Sequence, residues 1–401
     1  MKEKKVLFIM PSFGCGGVES TLLSLLEVFD IKKYETTILF LEKQGDFLER
    51  IPSHIIQKEI IIPEKEKGIF FGKKNMLTAY IRKGQFWKIP SFLRYNKRRK
   101  LSENRTLNAE YFREIAVSIP DLEEEYDLAI DYFGYASFTT FYLAEKVKAK
   151  KKVSWLHSIL SRFHPEQFEE WYSKMDVIFA CSQMVKEDFE TIFPSLRNVE
   201  LFYNIINPYK IREKAQLSGG FSDSFEGVRI LTVGRICNEK GIDLAIGAFK
   251  LLKKDGFNIR WYIIGGGSID EIKKNQNLFD SDDERNNFVF LGVQNNPYVY
   301  MKQCDIYVQP SRFEGYCTTT NEARIIGCPI VMTNVSGAKE QIVHEKNGLI
   351  VEISIMGIYK GVKVLLKNNH MKNKFINELK NVDGDTRGEV KKIYDILQEI
   401  K

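Results

Sequence analysis

No Cys-x-x-Cys pair occurs in the chain; its six cysteines, Cys15, Cys181, Cys237, Cys304, Cys317 and Cys328, are scattered. That spacing argues against a zinc cluster or a disulfide framework, and it fits a reducing, cytoplasmic setting. No apolar run approaches the ~20 residues that span a bilayer. The basic start and short apolar run of MKEKKVLFIM turn straight into a glycine loop, PSFGCGG, which is not how a signal peptide ends. No short-period repeat is present. Asp-x-Asp occurs only in polar loops, at Asp280/Asp282 and Asp383/Asp385, so no strand-end metal motif stands out. The formal net charge of +6 gives only a weak bias toward anionic partners.

What remains is a chain of 401 residues, long enough for two domains, with 44% hydrophobic residues to build their cores. The run VLFIM at 6–10 is continuously apolar and closed by Pro11, as a buried parallel strand requires. A glycine loop, an amphipathic helix over 18–29 and a strand at 36–42 complete a β-loop-α-β unit. Further strands are predicted at 127–133, 151–157 and 176–182, with a helix over 136–147. The pattern restarts after Asn207-Pro208, with strands at 228–235, 259–265, 287–292, 304–311, 328–333 and 348–352. Two such runs predict two α/β, doubly wound domains.

The segment 65–105 stands apart. It carries thirteen Lys and Arg against Glu66 and Glu103, interleaved with residues such as Phe70, Phe71, Phe86, Trp87 and Tyr95. Basic and aromatic residues together suit an anionic membrane surface. They would also suit a nucleic-acid backbone, and a solvated helical insertion packed on the first domain is the plainest alternative. The membrane reading is preferred, at the inner face of the cell membrane, with no nucleic-acid partner.

Chemistry concentrates at strand ends. In LTVGRICNEKG, Arg235 and Lys240 fall where a strand hands over to a helix, a place suited to a diphosphate. Gly265, in IIGGGS, would allow a base or ribose close to the backbone. In EGYCTTTNE, Glu314 precedes a predicted helix start and Glu322 lies one to two turns inside it. The N–H groups of Gly315, Tyr316, Cys317 and Thr318 would cradle an anion. The two carboxylates would then accept hydrogen bonds from sugar hydroxyls, one set from a pyranose and one from a ribose. The plain alternative is two exposed acids at a helix start.

The Glu-Gly-x6-Glu spacing closely resembles the paired-glutamate signature of the retaining glycosyltransferases of family four, which have the two-Rossmann GT-B fold. VGR…EKG, the strand ending at Pro310-Ser311, GCP and NGLIV follow in the family's order; GCGGVE and YNIIN match its glycine loop and interdomain region. The resemblance implies an acceptor domain over 1–206 and a nucleotide-sugar donor domain over 207–388, with the helix at 389–401 packed back on the first. It implies that Arg235 and Lys240 hold the donor diphosphate, that Glu314 contacts the transferred sugar, and that Glu322 contacts the ribose. His157 resembles the first-domain histidine near the donor sugar, and Gly16 and Gly17 would lie where acceptor meets donor phosphates. The implied reaction is a hexosyl transfer from a nucleotide sugar, UDP-linked in preference, to a saccharide or lipid-linked acceptor of surface polysaccharide or capsule. It retains configuration and uses no metal or cofactor, the nucleotide sugar being a substrate.

Two features depart from the family. Cys317, Thr318, Thr319 and Thr320 stand where apolar residues are frequent, and SGAKE stands where two glycines are frequent. Both put the donor's identity in question. Rival readings are an inactive GT-B partner or sugar-binding subunit, a hydrolase or epimerase on the same fold, and a nicotinamide-dependent oxidoreductase. In the last case the dinucleotide fingerprint fails, because Glu19 occupies the third glycine position.

Overall fold

A computed structural model describes residues 4–14, 16–61, 119–163 and 165–400, together with 81, 84, 86–90, 93, 109, 112 and 113. The basic segment 65–105, and with it the membrane expectation, falls almost entirely outside the described residues. No helix among them is long and apolar enough to cross a membrane.

Two all-parallel sheets organise the chain. The first contains β1 (Lys5–Met10), β2 (Glu35–Phe40), β3 (Ile56–Glu59), β4 (Glu125–Asp131), β5 (Lys148–Leu156), β6 (Val177–Ala180) and β7 (Val199–Leu201). Their spatial order is β3-β2-β1-β4-β5-β6-β7. The second contains β8 (Val228–Val233), β9 (Ile259–Ile264), β10 (Phe288–Gly292), β11 (Ile306–Gln309), β12 (Ile330–Thr333) and β13 (Leu349–Val351), in the order β10-β9-β8-β11-β12-β13. Each sheet therefore reverses direction once, between β1 and β4 and between β8 and β11. Open sheets of this kind bind ligands beyond the strand C-termini at that reversal. Both expected Rossmann-like units are present, and their arrangement is the GT-B architecture.

Helices cover both faces of each sheet, which is why the central strands read as unbroken apolar runs. Val6 through Met10 are all fully buried. The edge strands β3 and β7 are absent from the expected set. The sequence of β3, IQKE, is half-exposed and has no apolar run; β7 is only VEL. The expected strands at 127–133, 151–157 and 176–182 end one or two residues too late. Tyr132, Phe133, His157 and Ser182 lie past the ladders, in the turns that face the second domain.

The chain crosses between domains twice. The first crossing ends at Asn207, whose side chain caps α-helix Pro208–Ala215 by accepting from the Lys210 N–H. On the return, the Ile206 N–H donates to the Thr386 hydroxyl oxygen, and that hydroxyl donates to the Asn204 carbonyl, each at 2.7 Å. The last helix, Lys391–Glu399, then buries Ile393 and Leu397 in the first domain's core beside Phe8, Leu25 and Phe29. The Tyr394 ring stacks on Phe29 at 5.6 Å, and the Lys4 ammonium donates to the Ile400 carbonyl. Leu397→Ala should therefore destabilise the first domain by about 2–5 kcal/mol. Urea unfolding followed by probes in each domain should show only the first-domain transition moving; an unmoved first-domain transition would contradict this packing.

Candidate active site

The two reversal points face each other across one cleft of about 1220 Å³. Its walls include every residue singled out above: Gly16, Gly17, His157, Arg235, Lys240, Gly265, Glu314, Gly315, Tyr316, Cys317, Thr318 and Glu322. Topology explains the convergence. Gly16 and Gly17 follow β1, His157 follows β5, Arg235 and Lys240 follow β8, and the 314–322 stretch follows β11.

Lys240 and Glu314 form an ion pair, Nζ to Oε1 at 2.6 Å. The Ser311 hydroxyl donates to the same carboxylate oxygen at 2.6 Å, and the Gln309 amide lies 3.4 Å from it. Burial alone would lower the Lys240 pKa, but the Glu314 charge outweighs it and the ammonium is held above its usual range. The two residues expected to take separate tasks, Lys240 for phosphate and Glu314 for sugar, are thus each other's partner in the structure. Gly241 makes this possible. At φ +64° it lets the turn after β8 approach β11, where a Cβ would sit 2.1 Å from the Pro310 carbonyl oxygen. Arg312 ties the same two loops through a bidentate pair with Asp243, at 2.6 and 2.7 Å.

The helix Thr318–Ile326 begins at Cys317, and no side chain caps it. Its first N–H groups thus lack helical partners on the cleft side. The Cys317 thiol is buried, and burial pushes its pKa up to about 11, so it is neutral. Gly265 makes a different close approach from the one expected. At φ +150° it accommodates the neighbouring strand end: a Cβ would lie 1.9 Å from the Gly234 carbonyl oxygen.

Glu322 is not an exposed helix-start acid. It is half-buried in the cleft wall, and burial pushes its pKa up to about 7. The Tyr298 hydroxyl donates to it at 3.0 Å and, with the charge of Lys214, partly offsets that burial. Neither Tyr298 nor Lys214 carries any signal in the sequence.

On the first-domain wall, the His157 ring is buried and its pKa is lowered to about 4, mainly by desolvation. It is neutral. Its Nε2 lies 2.8 Å from the Tyr132 carbonyl oxygen, which can only accept, so Nε2 bears the hydrogen and Nδ1 is left as an acceptor. The space at Gly16 is filled: a Cβ there would meet a Glu19 carboxylate oxygen at 2.2 Å. Glu19 is the third residue of helix Gly17–Val28, and its carboxylate folds back against Gly16. Burial raises its pKa, and the charge of Arg235 in the other domain opposes that shift. The residue that breaks the dinucleotide fingerprint therefore fills the space beside Gly16.

Fold and cleft together define a two-domain protein of the GT-B type. Comparison with known proteins narrows this further. Residues 226–382 match the family model described as Glycosyl transferases group 1. The chain is 32% identical over 216 residues to the N-acetylgalactosamine-N,N'-diacetylbacillosaminyl-diphospho-undecaprenol 4-alpha-N-acetylgalactosaminyltransferase of Campylobacter jejuni, covering 52% of this chain and 56% of that one. It is 30% identical over 125 residues to the capsular polysaccharide biosynthesis glycosyltransferase CapM of Staphylococcus aureus, covering 30% and 31%. The matches thus span about half or less of these curated relatives. Among solved structures, Anabaena Alr3699/HepE in complex with UDP superposes with a TM-score of 0.66 at 16% identity, covering 98% of this chain and 99% of that one.

Glu322 yields a stability test. Its folded pKa of about 7 lies above the ordinary 4.5. The stability this confers is complete below about 4.5 and is lost as pH rises through about 7. Glu322→Gln should therefore raise the melting temperature at pH 8, by roughly 2–6 °C, and much less at pH 5. Calorimetric scans at both pH values check this; equal shifts would contradict it.

Proposed function

We propose that this chain is a retaining, metal-independent glycosyltransferase. It moves a hexose-type sugar from a nucleotide diphosphate sugar, UDP-linked in preference, to a saccharide or lipid-linked acceptor in surface-polysaccharide assembly. The observation that carries the proposal is the convergence of Arg235, the Lys240–Glu314 pair and the uncapped start of helix Thr318–Ile326 at one reversal point, opposite His157. Two cations and a row of N–H groups match a diphosphate. The family match over the second domain supports the class of activity, and the UDP complex of a structural neighbour supports the nucleotide. The Campylobacter jejuni relative, named for a diphospho-undecaprenol substrate, supports the lipid-linked acceptor.

The chemistry follows from those positions. When donor enters, Lys240 shifts toward the diphosphate and releases a Glu314 oxygen to the sugar's hydroxyls. Neutral His157 accepts a further sugar hydroxyl at Nδ1. A Glu322 carboxyl oxygen accepts from the ribose. The bond from the anomeric carbon to the diphosphate oxygen breaks, and the acceptor oxygen bonds that carbon from the same face. The acceptor's proton passes to the departing phosphate oxygen, whose charge Arg235 and Lys240 carry in place of a metal ion.

Lys240→Ala should weaken UDP binding by roughly 10- to 100-fold, matching the ~1.5–3 kcal/mol of a charge-assisted hydrogen bond. Glu314→Gln should bind UDP as tightly as the wild type or more tightly, because Lys240 is freed, yet slow sugar transfer about 10²–10⁴-fold. Calorimetry with UDP and a transfer or donor-hydrolysis assay measure both. Unchanged UDP affinity in Lys240→Ala, or wild-type turnover in Glu314→Gln, would overturn the proposal; UDP binding without any turnover in the wild type would favour an inactive sugar-binding subunit.

A further inference from the structure

Glu340 does not line the cleft, yet it joins the two domains beside it. It sits on the short helix Ala338–Gln341 of the second domain. Its carboxylate reaches the start of the first domain's helix Gln183–Ile192, where Oε2 accepts from the Gln183 N–H at 3.0 Å and Oε1 from the Met184 N–H at 3.3 Å. That helix has its own cap, Ser182, whose hydroxyl oxygen accepts from the Val185 N–H. Its first two N–H groups are left over, and the other domain supplies their acceptor. The Tyr203 hydroxyl, on the crossing between the domains, also donates to Glu340, at 3.3 Å.

The same turn grips the loop that faces the donor. The Gln341 amide donates to the Cys317 carbonyl at 2.8 Å. Gly337, at φ +73°, packs on Gly315, where a Cβ would lie 2.8 Å from the Gly315 carbonyl oxygen. Gly315 in turn abuts the first domain: a Cβ on it would be 1.9 Å from the His157 carbonyl oxygen. The Tyr316 ring lies 5.6 Å from Tyr203, and the Arg162 guanidinium covers the Phe313 ring at 3.7 Å. A surface acid near a helix start ordinarily adds little to its own helix. Here both oxygens are used, across a domain boundary, and the burial of the Tyr203 hydroxyl beside this charge raises its pKa to about 12.

We propose that Glu340 is a positioning residue: it latches the two domains closed and so holds the loop of Gly315, Tyr316 and Cys317 against the first domain in its donor-binding geometry. The proposal rests on reading the cleft as a nucleotide-sugar site. Closing the cleft brings the carboxylate onto the two N–H groups; opening returns all three to water. Donor binding, which needs both walls, and latch formation then favour the same state.

Two variants remove opposite halves of the latch. Glu340→Ala removes the acceptor. Gln183→Pro removes one donor at the first helical position, where proline is tolerated, and Ser182 at φ −155° and ψ 161° already has the extended backbone that precedes proline. Small-angle scattering of the free proteins reads closure without nucleotide, so it stands even if UDP does not bind the wild type. Both variants should show a larger radius of gyration than the wild type. Both should bind UDP roughly 5- to 50-fold more weakly, with donor KM raised more than kcat is lowered. Glu340→Gln, which keeps an acceptor oxygen, should fall between. Wild-type scattering and wild-type UDP affinity in both Glu340→Ala and Gln183→Pro would overturn the latch.

Discussion

A lysine ammonium and a glutamate carboxylate, 2.6 Å apart with side chains only 19% and 9% exposed, set the terms for the cleft. Such a pair adds little net stability, but removing either partner strands a charge. The surrounding structure is arranged to keep both. Ser311 and Gln309 reach Glu314 from the end of β11, and Gln309 in turn accepts from the hydroxyls of Tyr307 and Thr319. One network thus runs from the sheet, through the carboxylate, to the helix start that faces the cleft. On the proposed reading, an incoming diphosphate would meet a cation whose cost of desolvation has been met during folding. The charge freed when Lys240 moves is a carboxylate at the place where the sugar would lie.

Much of this was legible in the sequence because parallel sheets write themselves plainly. A buried strand such as VLFIM is continuously apolar, and the helix and glycine loops between strands punctuate it. Knowing that strand ends carry the site then points to Arg235, Lys240, Glu314 and Glu322, and all four line the cleft. What the sequence hides is relation. Lys240 and Glu314 are 74 residues apart, and nothing in either motif announces that they pair. The burial of Glu322 is hidden because the residues that enclose it, Tyr298 foremost, come from another helix. Edge strands hide for the opposite reason: β3 is half-exposed and has no apolar signature.

The two halves of the cleft rest on different grounds. The family match covers 226–382, so the cations and both glutamates lie within it. Gly16, Gly17 and His157 lie outside it and are placed by geometry alone. That geometry makes the first-domain wall a set of acceptors, with His157 neutral and oriented by Tyr132 and with the Glu19 carboxylate beside Gly16. On the proposed reading, phosphate chemistry belongs to the second domain, and the first contributes shape and acceptors. Contacts between the walls run from Glu340, at the start of helix Gln183–Ile192, to Gly315, beside the His157 carbonyl.

The most direct test of the central claim is a double-variant cycle at Lys240 and Glu314, read by calorimetric titration with UDP. In Lys240→Ala the unpaired Glu314 carboxylate faces the diphosphate and repels it. Adding Glu314→Gln removes that repulsion, so the double variant should bind UDP more tightly than Lys240→Ala alone, with a coupling energy above ~1 kcal/mol. Strictly additive effects, or no effect of either substitution on UDP affinity, would show that the pair does not receive the diphosphate.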